Sequence, residues 1–185
     1  MKTRIVGLLS LIFILGGCST LPMAEQADVI GVDGVACIGK VVTPPAGLVE
    51  VLDEALLQQV LKPSGEGELC AGKVFKAEQA VTVYRVWDST KAYTLYGGWW
   101  SLNQPQGPKN KYRKENDICP EWSELNQMSQ CQLTVGAKVV IGPGQSADCE
   151  EIYHKKSPVN QVYIPNDSRN NVLYVESCSD GVAWP

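Results

Sequence analysis

The sequence predicts an α+β domain, with a mainly antiparallel sheet and two or three helices. Three observations carry that prediction. The chain has 185 residues, 44% hydrophobic and 19% charged, which suits one packed core rather than a disordered polymer. Most of its apolar runs are short, rich in β-branched and aromatic residues, and bounded by Gly and Pro. Helical periodicity is confined to the beginning and the middle.

Taken in order, Val35 to Val42 reads as a short strand stopped by Pro44-Pro45. Gly47 to Leu61 reads as a helix, because Leu48, Val51, Leu52, Ala55, Leu56 and Val60 recur at three- and four-residue spacing before Pro63 and Gly65. From Cys70 the pattern turns to strands. Ala80 to Trp87 alternates, and Leu95 to Leu102 reads as a second strand around Gly97-Gly98. Lys109 to Asn116 suits a short polar helix. Pro120 to Met128 suits another, with Pro120, Glu121 and Glu124 fitting its first turns. Gln132–Val135 and Lys138–Ile141 flank a Gly136-Ala137 turn, and Val159–Ile164 and Val172–Glu176 complete the strands. Gly142 to Ser146 reads as a turn, since the Lys-Ser/Thr ending of a P-loop is missing.

Residues 1–20 have a different character. Lys2 and Arg4 precede an 11-residue apolar stretch, Ile5 to Leu15, too short for a membrane span. Leu15-Gly16-Gly17-Cys18 resembles a bacterial lipoprotein lipobox. The resemblance implies cleavage before Cys18, a diacylglyceryl thioether and an acylated (palmitate-type) amine on that residue, and a membrane partner reached through the N-terminal lipid. Ser19 rather than Asp after the cysteine implies sorting to the outer membrane. Residues 1–17 are then signal peptide, 18–34 a polar lipidated tether, and 35–185 the globular domain, on the periplasmic side or at the cell surface. Removing Lys2 and Arg4 with the signal takes the net charge from −4 to −6. That charge argues against nucleic acid as a partner.

Seven cysteines make an odd count, and lipidation of Cys18 resolves it. Cys37, Cys70, Cys119, Cys131, Cys149 and Cys178 remain, with no C-x-x-C pair and with His154 the one histidine. No metal site or metal cofactor is expected from that set. Export favours disulfides, and sequential pairing is expected: Cys37–Cys70, Cys119–Cys131, Cys149–Cys178. His154 lies in a stretch, Asp148 to Lys156, that reads as an exposed loop.

Two sets of residues suggest binding. Tyr84, Trp87, Tyr93, Tyr96, Trp99 and Trp100 crowd one stretch. They read either as a stacking platform for a ligand or as cross-strand packing. Arg85, inside a strand, reads either as an anion ligand or as a structural ion pair. Lys109 to Glu115 carries four positive charges in seven residues, either a solvated face or a contact for lipopolysaccharide or an acidic partner.

VYRV around Arg85, GGWWSLNQP, VGAKVVIGPGQ and NQVYIP, in that order, resemble NAD-cleaving toxin domains of the ADP-ribosyltransferase-like fold. The resemblance implies NAD as substrate, not as bound cofactor. It implies Arg85 on the dinucleotide phosphates and Gln161 at the reacting ribose, as catalytic residues. The leading expectation is an outer-membrane lipoprotein domain that binds an envelope protein, a toxin or a small ligand. NAD cleavage is the alternative, and a toxin-immunity or structural envelope role the third.

Overall fold

The computed structural model describes residues 29–185. The expected signal peptide, Cys18 with its expected lipid, and the first part of the expected tether lie outside the described residues. Among the described residues no helix is long and apolar enough to cross a membrane.

Two antiparallel sheets enclose the main core. The first runs β1 (Leu48–Glu50), β2 (Lys73–Ala77), β6 (Lys138–Gly144), β9 (Ser157–Tyr163), β4 (Trp99–Trp100). The second is centred on β5 (Gln127–Leu133). β3 (Val81–Trp87) pairs with one edge of β5, and β10 (Val175–Glu176) and β11 (Val182–Ala183) share the other. Paired backbone hydrogen bonds between Tyr84 and Ser101, at 2.9 and 2.8 Å, stitch β3 to the end of β4 and join the sheets. A two-strand hairpin, β7 (Ala147–Asp148) and β8 (Tyr153–His154), stands apart.

Period-two alternation decides which side chains meet. Val81 and Val83 of β3, Val139 and Ile141 of β6, and Val162 of β9 point into the main core with Phe75, Trp100 and Leu133. Their neighbours Val74 and Val140 face the other way and form a second cluster with Leu56, Val60 and Leu69. β6 is therefore covered on both faces. The helix α1 (Glu54–Gln58) supplies Leu56 to that second cluster. The helix α2 (Lys109–Glu115) supplies Tyr112, which packs with Val86, Leu125 and Trp184 outside the second sheet.

The α+β expectation with antiparallel sheets holds, while several elements are corrected. The expected helix over 47–61 is one strand and one turn of helix. Leu48–Glu50 pairs with Phe75–Ala77 instead, and the helix starts only where the Asp53 carboxylate accepts the Leu56 N–H at 3.1 Å. The expected strand over 35–42 makes a single bridge, Ile30 to Ala36. Packing also begins earlier than residue 35, because Asp33 already pairs with Lys156 at 2.9 Å. The expected strand over 95–102 shortens to β4 after a 3₁₀ turn over Ala92–Tyr96. The expected helix over 120–128 is a 3₁₀ turn over Pro120–Trp122 leading into β5. There the Arg113 guanidinium donates to the Cys119 and Ser123 carbonyls, competing with helical bonding.

The expected turn at 142–146 is instead the buried end of β6. A Cβ on Gly142 would lie 1.8 Å from the Ala71 carbonyl oxygen, so only glycine fits against that neighbour. A register shift at Pro143/Gly144 accommodates the proline inside a paired strand. The 148–156 stretch is largely exposed as expected, but it closes into the β7–β8 hairpin and His154 is buried within it rather than solvated.

Three disulfides brace the fold, but only Cys37–Cys70 follows the sequential scheme. The others are Cys119–Cys149 and Cys131–Cys178. The cause is topological: β10 docks on β5, which brings the segment carrying Cys178 to Cys131 across the sheet.

Candidate functional site

Arg85 follows Val81 and Val83 at alternate positions and so enters the inward side of β3. It meets the turn before β4. Its Nε donates to the Thr94 carbonyl at 2.6 Å, its Nη1 donates to the Trp99 carbonyl, and its guanidinium lies 5.8 Å from the Trp100 ring centroid. Desolvation pushes its pKa down to about 10, so it stays charged at neutral pH. Arg85 is a clamp on the Ala92–Trp100 segment. Arg85→Lys loses the fork that reaches two carbonyls at once. It is expected to lower stability by about 1–3 kcal/mol in urea unfolding, and an unchanged midpoint would reject the clamp.

Gln161 stands elsewhere. It precedes Val162, which faces the main core, so its amide lies on the opposite face of the first sheet. Arg85 and Gln161 share no contact, and neither lines any of the clefts described below.

The aromatic residues are dispersed too. Trp100 is in the main core, its indole N–H donating to the Gly97 carbonyl at 2.7 Å. Trp87 donates to Ser129 Oγ at 3.1 Å, and Trp99 stacks on Tyr163 with centroids 5.2 Å apart. Tyr96 packs against the main core, Tyr84 borders a shallow groove beside β5, and Tyr93 lies under Arg169. The aromatic residues thus take the cross-strand and core role more than that of one open platform.

A cleft opens between α2 and the segment that follows β4. Its volume is about 460 Å³. Asn103 and Gln104 line one wall, Tyr112 and Asn116 the helix wall, and Asn160 the floor strand. Tyr112 hydrogen-bonds Ser101 and so fixes the helix against the loop. Asn116 Nδ2 donates to the Tyr112 carbonyl at 3.0 Å, and Asn160 is held by the Lys40 carbonyl and the Val42 N–H. Asn103 and Gln104 are exposed and their side chains make no hydrogen bond among the described residues. The lining sets amide side chains among apolar residues such as Val42, Leu102 and Pro158, and its charged pair, Lys111 and Glu115, meets at 3.7 Å.

Asp117 follows Asn116 in the chain. It ends α2 in the left-handed region at φ 53°, and the Ile118 N–H closes back on the Arg113 carbonyl at 2.9 Å. This closure turns the carboxyl inward, where it is 1% exposed and neither oxygen has a hydrogen-bond partner. Both Asp117 Oδ2 and Gln161 Nε2 press on Gly144, leaving no room for a Cβ there. The Gln161 amide nitrogen is unpartnered as well. Burial pushes the Asp117 pKa up to about 8, so it is mostly protonated at neutral pH. His154 is a further buried group, its Nε2 unpartnered, and burial foremost lowers its pKa.

Cys119, Glu121 and Cys149 bring their ligand atoms together, but both sulfurs are joined to each other. A thiolate metal centre needs free sulfur.

The sequence reading did not single out Asn103, Gln104, Asn116 or Asp117. The one local signal was the Asn116-Asp117 pair after a polar helix, since Asn and Asp tolerate the left-handed conformation that ends helices.

With this geometry in hand, no protein-family model, curated protein or solved structure matches the chain.

Proposed function

We propose that the chain is an exported, outer-membrane-tethered lipoprotein whose disulfide-braced domain binds a neutral polar ligand in the cleft between α2 and Ser101–Gln106. The cleft's two uncommitted amides, Asn103 and Gln104, carry this reading. An amide offers a donor and an acceptor side by side, which suits hydroxyl- or amide-bearing ligands. The engagement of Arg85 with backbone carbonyls favours binding over NAD cleavage, because it leaves the guanidinium no cleft in which to meet a phosphate.

The test is calorimetric titration of the mature chain with a panel of neutral oligosaccharides and short peptides. A binder is expected, and Asn103→Ala/Gln104→Ala is expected to weaken it about ten- to thirty-fold through two lost hydrogen bonds. Equal affinity in the variant would place the ligand elsewhere. Intact-mass measurement checks the anchor separately: a chain beginning at an acylated Cys18 is expected, and an unmodified Cys18 rejects the tether.

A further inference from the structure

The first described segment, 29–42, lies along residues 156–160. Lys156 Nζ pairs with Asp33 at 2.9 Å and donates to the Val35 and Ala36 carbonyls. Gly39 rests on Pro158, and Asn160 Nδ2 donates to the Lys40 carbonyl at 2.8 Å. Cys37–Cys70 secures the same segment covalently. A segment held this firmly nevertheless leaves Ile30, Val32, Val35 and Ile38 at 58, 53, 58 and 49% exposure. Four exposed aliphatics within nine residues of a fixed backbone offer an interaction surface.

Cations sit beside them. A groove of about 350 Å³ is lined by Lys111, Lys114, Lys155 and Lys156, with Glu115 the one acid among them, and by Pro158, the residue on which Gly39 rests. Lys114 and Lys155 are exposed and form no ion pair or hydrogen bond among the described residues. The whole chain carries a net charge of −4, so this concentration of positive charge is a local asymmetry.

We propose that Ile30, Val32, Val35 and Ile38, with Lys114 and Lys155, form the face on which the domain lies against an anionic phospholipid surface. The aliphatic side chains enter the headgroup boundary, and the lysine stems lie along it with their ammonium groups on lipid phosphates. Chain connectivity selects a bilayer over a protein as the occupant. Ten residues lie between Cys18 and Val29, so Val29, where this face begins, stands within about 40 Å of Cys18 along an extended chain. The proposal rests on the tethered-lipoprotein reading for which face meets the bilayer first. The chemistry of the face stands without it.

The experiment reconstitutes the full processed chain into vesicles of phosphatidylcholine alone and of an equal mixture with phosphatidylglycerol. Lysine acylation rates are then read residue by residue by mass spectrometry, alongside the mass of Cys18. Lys114 and Lys155 are expected to label roughly ten-fold more slowly on the anionic vesicles. Lys76, exposed on β2, should label equally on both. Lys114→Glu/Lys155→Glu/Ile38→Asp should abolish sensitivity at Lys111, an exposed groove lysine left in place. Equal labelling on both vesicle types with an acylated Cys18 overturns the proposal. So does protection that appears only when envelope proteins are added, which would make the face a protein interface. Salt-sensitive protection on anionic vesicles with an unmodified Cys18 supports the face and rejects the tether.

Discussion

Replacing Asp117 with asparagine is expected to stabilise the domain at neutral pH and to flatten its stability between about pH 4 and pH 8. The direction follows from proton counting. In the folded protein burial raises the Asp117 pKa from 3.8 to about 8. Between those values the folded chain keeps the proton and the unfolded chain has released it. Ionisation therefore favours unfolding, and this residue's contribution falls as pH rises through the window. It is fully favourable below the unfolded value and fully lost above the folded one. At about 1.4 kcal/mol per pH unit, the loss has an upper bound on the order of 6 kcal/mol. Asparagine has the same shape, carries no titrating proton and tolerates the positive φ of 53° at this position.

His154 slopes the other way. Its lowered folded pKa means that the unfolded chain takes up the proton first as pH falls, so its contribution is lost toward acid. Comparing Asp117→Asn with the parent cancels that background. Urea unfolding at pH 4, 6 and 8 should show the two proteins converging at acid pH and separating steadily toward pH 8. Parallel lines would mean that Asp117 does not keep its proton in the fold. The carboxyl belongs to the residue that follows Asn116, which lines the cleft of the proposed ligand. An unpartnered buried acid at such a place is a cost that folding alone does not explain. Altered ligand affinity in the asparagine variant would tie that cost to binding.

What was legible in the sequence was local. Val81 to Trp87 announces itself by β-branched alternation and forms β3. The Lys109–Asn116 stretch forms α2, because its helix closes on its own residues. Failures came where a distant partner decides. Leu48 stands at helical spacing from Leu52 and Leu56, yet Leu48 is claimed by Ala77 on β2 and Leu52 is left 99% exposed. Gly142-Pro143-Gly144 has the composition of a turn, but β2 and β9 flank it and require glycines for close approach. For Arg85, the strand position and the need for partners were readable from sequence. That the partners are the Thr94 and Trp99 carbonyls depends on a turn that Arg85 itself stabilises. The cleft was the least legible feature, since Asn103, Gln104 and Asn160 meet only when β4, α2 and β9 are assembled.

Removing the Cys131–Cys178 bridge by the double change Cys131→Ala/Cys178→Ala is expected to cost about 4 kcal/mol, because the bridge closes a separation of 47 residues. For a chain of this length that lowers the melting temperature by roughly 10 °C. The site makes the loss larger than loop entropy alone. Cys131 is fully buried in the main core beside Val83 and Leu133, so alanine also leaves unfilled volume there. β10 contributes only Val175 and Glu176 to its pairing with β5, too few ladder bonds to hold that edge unaided. The bridge thus acts as the clasp of the second sheet, and β10 is expected to lose amide protection before β3 does in hydrogen exchange. A digest under non-reducing conditions should yield linked Cys131–Cys178 and Cys119–Cys149 peptides. Linked Cys119–Cys131 and Cys149–Cys178 peptides, or a stability change under about 1 kcal/mol, would refute the clasp. The sequential pattern would bind β5 only to its own preceding loop, leaving β10 without a covalent hold on the sheet.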